Sequence, residues 1–119
     1  MNPEYWKKDI DLTAMIDNKI YEVEIKWDKK INKSGAMFLE LLTDIEQNKQ
    51  GWANYTQADF IFYGDAINRL FYVFSVSDMR EYLKTHIGEY RTLTAKDINQ
   101  YTGQVTKLSL GAIVPIESF

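Results

Sequence analysis

The chain reads as an α+β domain built on a mixed, mainly antiparallel sheet flanked by short helices, and three observations predict it. Residues 9–16 and 20–27 both alternate apolar and polar side chains, which is the period of half-buried strands. Residues 59–64 and 70–76 are dense in Phe, Tyr, Ile and Val, the residues that favour strands. Residues 77–87 carry a helical spacing instead, with Met79, Tyr82, Leu83 and His86 on one side.

Taken in order, the first two strands are separated by Asp17-Asn18, a fair two-residue hairpin turn because both residues tolerate positive φ. Counting outward from that turn, Ile16 pairs with Lys19, Asp11 opposes Glu24 and Asp9 opposes Lys26. Ser34-Gly35 punctuates the chain, and residues 36–42 read as a third, more apolar strand carrying Glu40. Residues 43–52 are polar, a surface loop or short helix ending at Gly51-Trp52. The two aromatic strands form a second hairpin around a turn at 64–68. Ser77 is the expected N-cap of the helix and Gly88 its stop. Thr94 and Asp97 resemble a capping arrangement for another short helix to about Tyr101, and residues 107–116 form a last strand interrupted by Gly111.

With 119 residues, 45% hydrophobic and 14% aromatic, the chain is one folded domain spanning 1–119. The absence of cysteine excludes disulfides and zinc-thiolate sites and fits a reducing cytoplasm. No apolar run approaches the roughly 20 residues that span a bilayer, and Asn2-Pro3-Glu4 has no signal-peptide character, so a soluble cytoplasmic protein with no membrane partner is expected. The formal net charge of -3 runs against a phosphate-binding surface. Its distribution does not: Lys26, Lys29, Lys30 and Lys33 form a basic run after the second strand, either a solvated loop or a set of phosphate contacts.

On the second strand Glu22, Glu24, Lys26 and Asp28 share one face, and Tyr21, Val23, Ile25 and Trp27 share the other. The apolar face is expected to pack and the polar face to do chemistry. Opposed carboxylates at Asp11 and Glu24 would destabilise a sheet unless neutralised, and a divalent cation neutralises them. Mg²⁺ takes hard oxygen ligands and keeps several waters, so these two carboxylates and the Ile25 carbonyl suffice as the protein's share. Lys26, on the face of Glu24, would hold or help deprotonate the attacking water. The plain alternative is a solvated charged face, since alternating strands are ordinary and an acidic chain produces chance matches.

The string Asp9-Ile10-Asp11-Leu12-Thr13-Ala14, followed by Tyr21-Glu22-Val23-Glu24-Ile25-Lys26, resembles the acid strand and E-x-K strand of the PD-(D/E)xK nuclease superfamily. That superfamily includes restriction endonucleases, Holliday-junction resolvases and phage nucleases. A weaker similarity to phage and plasmid members runs through residues 35–40 and 56–60, so the resemblance covers roughly the first half of the chain. It implies a restriction-endonuclease-like core, Mg²⁺ with Mn²⁺ as substitute, and Asp11, Glu24 and Lys26 as catalytic residues. Family members usually carry a helix before the acid strand, often with a further metal-binding glutamate. Here eight residues precede Asp9, an abbreviated N-terminus: either Glu4 takes that role or the helix is missing, which implies an abbreviated enzyme, a truncated chain or a site completed by a second subunit.

Accessory candidates are Asp9, which pairs with and tunes Lys26, and Glu40, either a second-metal acid or an edge carboxylate. Lys49, Trp52, Tyr55 and Gln57 lie where related nucleases contact DNA, although Trp52 and Tyr55 at near-helical spacing also suit a core. His86 is the only histidine, so no His-based mechanism has a partner. The sequence therefore predicts a Mg²⁺-dependent endodeoxyribonuclease acting on DNA as a homodimer, because cutting both strands needs two sites. The alternatives are a non-catalytic nucleic-acid-binding or assembly module on the same fold, and an unrelated interaction domain.

Overall fold

A computed structural model describes residues 10–119; Glu4 and Asp9 lie outside them. The elements are β1 (Leu12–Ile16), β2 (Lys19–Asp28), α1 (Ile31–Ser34), β3 (Ala36–Asp44), β4 (Lys49–Gln50), α2 (Trp52–Tyr55), β5 (Phe60–Asp65), β6 (Leu70–Ser75), α3 (Val76–Thr85), β7 (Arg91–Ile98) and β8 (Val105–Pro115). The class is α+β as predicted, but the strands divide into two four-stranded sheets, ordered β1-β2-β5-β6 and β4-β3-β8-β7. In the first sheet only β2 and β5 run parallel. Among the described residues no helix is long and apolar enough to cross a membrane.

The first hairpin forms as read. Asp17 and Asn18 take φ of 51° and 64°, the mirror-image turn that matches strand twist, and the ladder pairs Leu12 with Val23 through Ile16 with Lys19. The second hairpin pairs Phe60 with Ser75 through Asp65 with Leu70. Its turn is held by Asp65, whose carboxylate accepts from the backbone N–H of Ile67 and Asn68 and from the Asn68 amide, each at 2.9 Å. These hydrogen bonds, led by that from the Asn68 backbone, hold the buried Asp65 carboxyl below the usual range.

Three expectations are corrected. The helix cap is Ser75, not Ser77: its hydroxyl accepts from Asp78 N–H at 3.1 Å, and starting there aligns Val76, Met79 and Leu83 on the core side. The short helix expected over 94–101 is instead strand β7, paired with β8 along its length. Thr92, Leu93 and Thr94 alternate as a strand does, and the turn beyond is built by Asn99, whose side chain accepts from Tyr101 and Thr102 N–H, and by Gly103 at φ 73°. The third correction concerns the faces of β2.

Cross-strand pairing places Glu24 beside Ile61 and Lys26 beside Tyr63, with Ile61 in turn beside Phe74. Ile61, Tyr63 and Phe74 belong to the core, packed with Met37, Leu39 and Val114 of the second sheet and Met79 of α3. The charged stripe of β2 therefore faces inward. The other face carries Leu12 and Ile16 of β1, Trp27 of β2, and Phe71 and Val73 of β6, all exposed. There Trp27 and Phe71 meet at 4.8 Å across Gly64, where any Cβ would strike both rings.

Candidate functional site

Glu24 is fully buried. Its neighbour two residues on, Lys26, brings its ammonium to 3.8 Å from Glu24 Oε2 and sits 5.5 Å from the centre of the Trp52 ring. Trp52 opens α2 and is itself buried, so it forms a floor under the lysine and not a free stacking platform. That floor is pinned from α3, because Arg80 donates to the Ala53, Asn54 and Thr56 carbonyls. Close behind it, Gly51 lies so tightly on the Glu40 backbone and side chain that no Cβ would fit.

Asp11 reaches the same strand differently from the way the register alone predicts. The regular ladder begins at Leu12; beyond it Asp11 N–H donates to the Val23 carbonyl at 2.9 Å, and Ile25 N–H donates to Asp11 Oδ2 at 2.6 Å. A carboxylate thus occupies the place of the next backbone acceptor, at the edge of β2. A strand residue's N–H and C=O leave the same side, so the Ile25 carbonyl is directed to this edge as well. Asp11 and the Ile25 backbone thus meet at the edge of β2, while Glu24 and Lys26, on either side of Ile25, sit on its inward face. Among the described residues no three Asp, Glu, His or Cys side chains gather as a metal-binding group.

Lys26 also lines a cleft of about 1030 Å³. One wall is the end of β2 and the segment after it, with Lys29 and Lys30; the other includes Tyr82 of α3, Tyr90, and Arg91 and Leu93 of β7, over Phe38 and Ile113. Asp28 at the mouth is committed to structure. It accepts from Lys30 N–H at 2.6 Å and Ile31 N–H at 3.1 Å, and from the Tyr63 hydroxyl at 2.6 Å. The Tyr63 oxygen accepts in turn from Phe38 N–H at 2.9 Å, tying the two sheets together. Burial, reinforced by the Asp28 hydrogen bond, pushes the Tyr63 phenol well above its usual range, so it stays a donor.

Of the expected DNA contacts, Lys29 and Lys30 join Lys26 at the cleft. Lys33 on α1, Lys49 on β4 and Gln57 after α2 are exposed and do not line it. Glu40 is half-buried in the second sheet opposite Gly111. Sequence reasoning missed Tyr82, Tyr90 and Arg91; the adjacent aromatic and basic pair Tyr90-Arg91 was the available cue. No family model, curated protein or solved structure matches the chain.

Proposed function

We propose that the chain is a Mg²⁺-dependent endodeoxyribonuclease of restriction-endonuclease-like design, with Asp11, Glu24 and the Ile25 carbonyl as cation ligands and Lys26 as the residue facing the scissile phosphate. The observation that carries this reading is the hydrogen bond from Ile25 N–H to Asp11 Oδ2, which fixes one carboxylate beside the strand that bears Glu24 and Lys26. All three oxygens are hard donors, the set that Mg²⁺ prefers. When bound, the cation would acidify a water and stabilise charge developing on the phosphate. The chain's own share is positional: Glu24 is held by burial, Asp11 by an amide, and Lys26 between Glu24 and the Trp52 ring at the lining of the cleft.

The test is relaxation of supercoiled plasmid with Mg²⁺. Glu24→Gln and Lys26→Ala should each lose about 10²-fold or more in rate, the usual effect of removing one electrostatic stabiliser. A Glu24→Gln protein that cuts as fast as the native chain would sink the assignment. Retained DNA binding without cleavage by the native chain would instead favour the non-catalytic module.

The proposed assembly is a homodimer through the outer face of the first sheet. Leu12, Ile16, Trp27, Phe71 and Val73 are 36–60% exposed there. Together they offer on the order of 500 Å², at the upper end of ordinary monomer patches and, with their half-buried neighbours, close to the roughly 800 Å² per partner of a stable interface. Lys19 is the one charged side chain on this face in the strand ladder, which suits a second copy better than a charged partner.

A further inference from the structure

The cleft and the chain carry opposite charge. Over the whole sequence the formal charge is -3, yet the cleft is lined by Lys26, Lys29, Lys30 and Arg91 against only Asp28 and Glu89. Asp28 is turned into three hydrogen bonds with its own surroundings, which leaves the cations to dominate the mouth. Between these charges the surface is aromatic and apolar: Phe38, Tyr82 and Tyr90 are half-buried, each with part of its ring left to the cleft. A ligand that satisfies both must bring repeated negative charge and flat apolar surfaces.

Duplex DNA supplies only the first. Its bases are stacked inside and its edges are read by side chains that project into a groove, whereas this surface is concave and its aromatic rings would face phosphates. A single strand supplies both, because its unstacked bases lie on aromatic side chains while its backbone follows a cationic track. The volume, near 1030 Å³, lies at the upper end of the roughly 300–1,000 Å³ of ligand clefts, room enough for a few nucleotides. We infer that this cleft is a binding track for single-stranded DNA, with a base stacking on Tyr90 beside Tyr82, whose own ring is stacked on His86 at 4.1 Å, and phosphates running between Arg91 and the Lys29-Lys30 wall toward Lys26. The inference rests on the nuclease reading for the reaction it feeds, naming a single-stranded or locally unpaired strand as substrate, but not for the binding itself.

Binding is measured by fluorescence anisotropy of a labelled 12-nucleotide oligo-dT and of a 12-base-pair duplex, in EDTA so that no cleavage intervenes. The single strand should bind at least tenfold more tightly. Tyr90→Ala should weaken it about tenfold, in the range of one lost base stack, with Tyr90→Phe binding as the native protein does. Arg91→Ala should lower the slope of log affinity against log salt by about 0.7, the value for one phosphate contact on a single strand. Equal or tighter binding of the duplex overturns the inference, as does an affinity for the single strand that both Tyr90→Ala and Arg91→Ala leave unchanged, or no binding at all. The two readings fail separately: strand binding without cleavage in Mg²⁺ removes the nuclease and keeps the track, while Mg²⁺-dependent cutting of duplex with no single-strand preference does the reverse.

Discussion

The two faces of the sheet β1-β2-β5-β6 are made by the same four strands, and they invert the usual arrangement along β2. Inward, β2 presents Glu24 and Lys26; outward, it presents Ile25 and Trp27. What reverses the expected sides is the rest of the molecule. The neighbouring strands offer apolar side chains on both faces, Ile61, Tyr63 and Phe74 within and Phe60, Phe62 and Val73 without. The side that becomes the core is the one the second sheet and α3 cover, with Met37, Leu39, Val114 and Met79. Burial of a strand face is therefore set by its partners and not by its own composition, and a charged stripe that lands inside lies where a reactive site needs low dielectric.

Matched substitutions on the two faces give the most direct way to break this comparison. Ile61→Ala, at a position with no exposure, should cost 2–5 kcal/mol by urea denaturation of the dilute monomer, whereas Val73→Ala, 57% exposed there, should change its stability by no more than about 0.5 kcal/mol. Equal costs would mean that the outer face is as covered as the inner one. Next in size is Tyr63→Phe, which keeps the ring in the core but deletes the hydroxyl between Asp28 and Phe38 N–H. Leaving those two groups to find other partners should cost about 1–3 kcal/mol. In the native protein, a spectroscopic titration should find this phenol still protonated above the ordinary tyrosine range.

Both hairpins were legible because their signals are local. Asp17-Asn18 fixes one register, and the aromatic pair of strands with a polar turn fixes the other. The E-x-K stripe and its proximity to Asp11 followed from that register, although the side-chain hydrogen bond that replaces the ladder at Asp11 did not. Strand β7 was missed because Thr94 and Asp97 suit a helix cap as well as a strand, and only β8, a distant segment, decides between them. The opposite wall of the cleft was illegible for the same reason. Tyr82, Tyr90 and Arg91 come to line one cleft with Lys26 and Lys29 through the packing of the second sheet and α3, a long-range arrangement that no window of sequence contains.

A smaller effect, dependent on pH, sharpens the contrast at the inward-facing end of β5. Asp65 has its carboxyl lowered in the folded state by the hydrogen bonds of its turn. A lowered native value means that its stabilisation is complete above the unfolded carboxylate value of about 3.9 and is lost as pH falls through the folded value. Asp65→Asn removes that dependence, and it also sets an amide donor against the Asn68 side-chain donor that now meets Oδ2 at 2.9 Å. The variant should be less stable than the native protein at pH 7 and closer to it at pH 3, measured as thermal midpoints. A constant difference across that range would assign the effect to shape and not to charge.

A further small change in folding stability is expected on the outer face, where it separates a subunit interface from surface that merely happens to be apolar. Phe71 is 41% exposed and touches Trp27 and Phe62 at ring separations of 4.8 and 5.9 Å. Phe71→Lys should cost a dilute monomer no more than about 1 kcal/mol, because the ring contacts are partial and the lysine stem can lie along the same surface. For a two-fold interface each substitution acts twice and places like charges near the axis, so the effect on association should be much larger than on folding. Sedimentation velocity over rising concentration should show the native chain moving to a dimer and Phe71→Lys remaining at 14.0 kDa. If the native chain also stays monomeric throughout, the dimer is excluded and the exposed aromatic face needs another occupant, while the proposed site on β2, built from one chain, stands or falls on its own test.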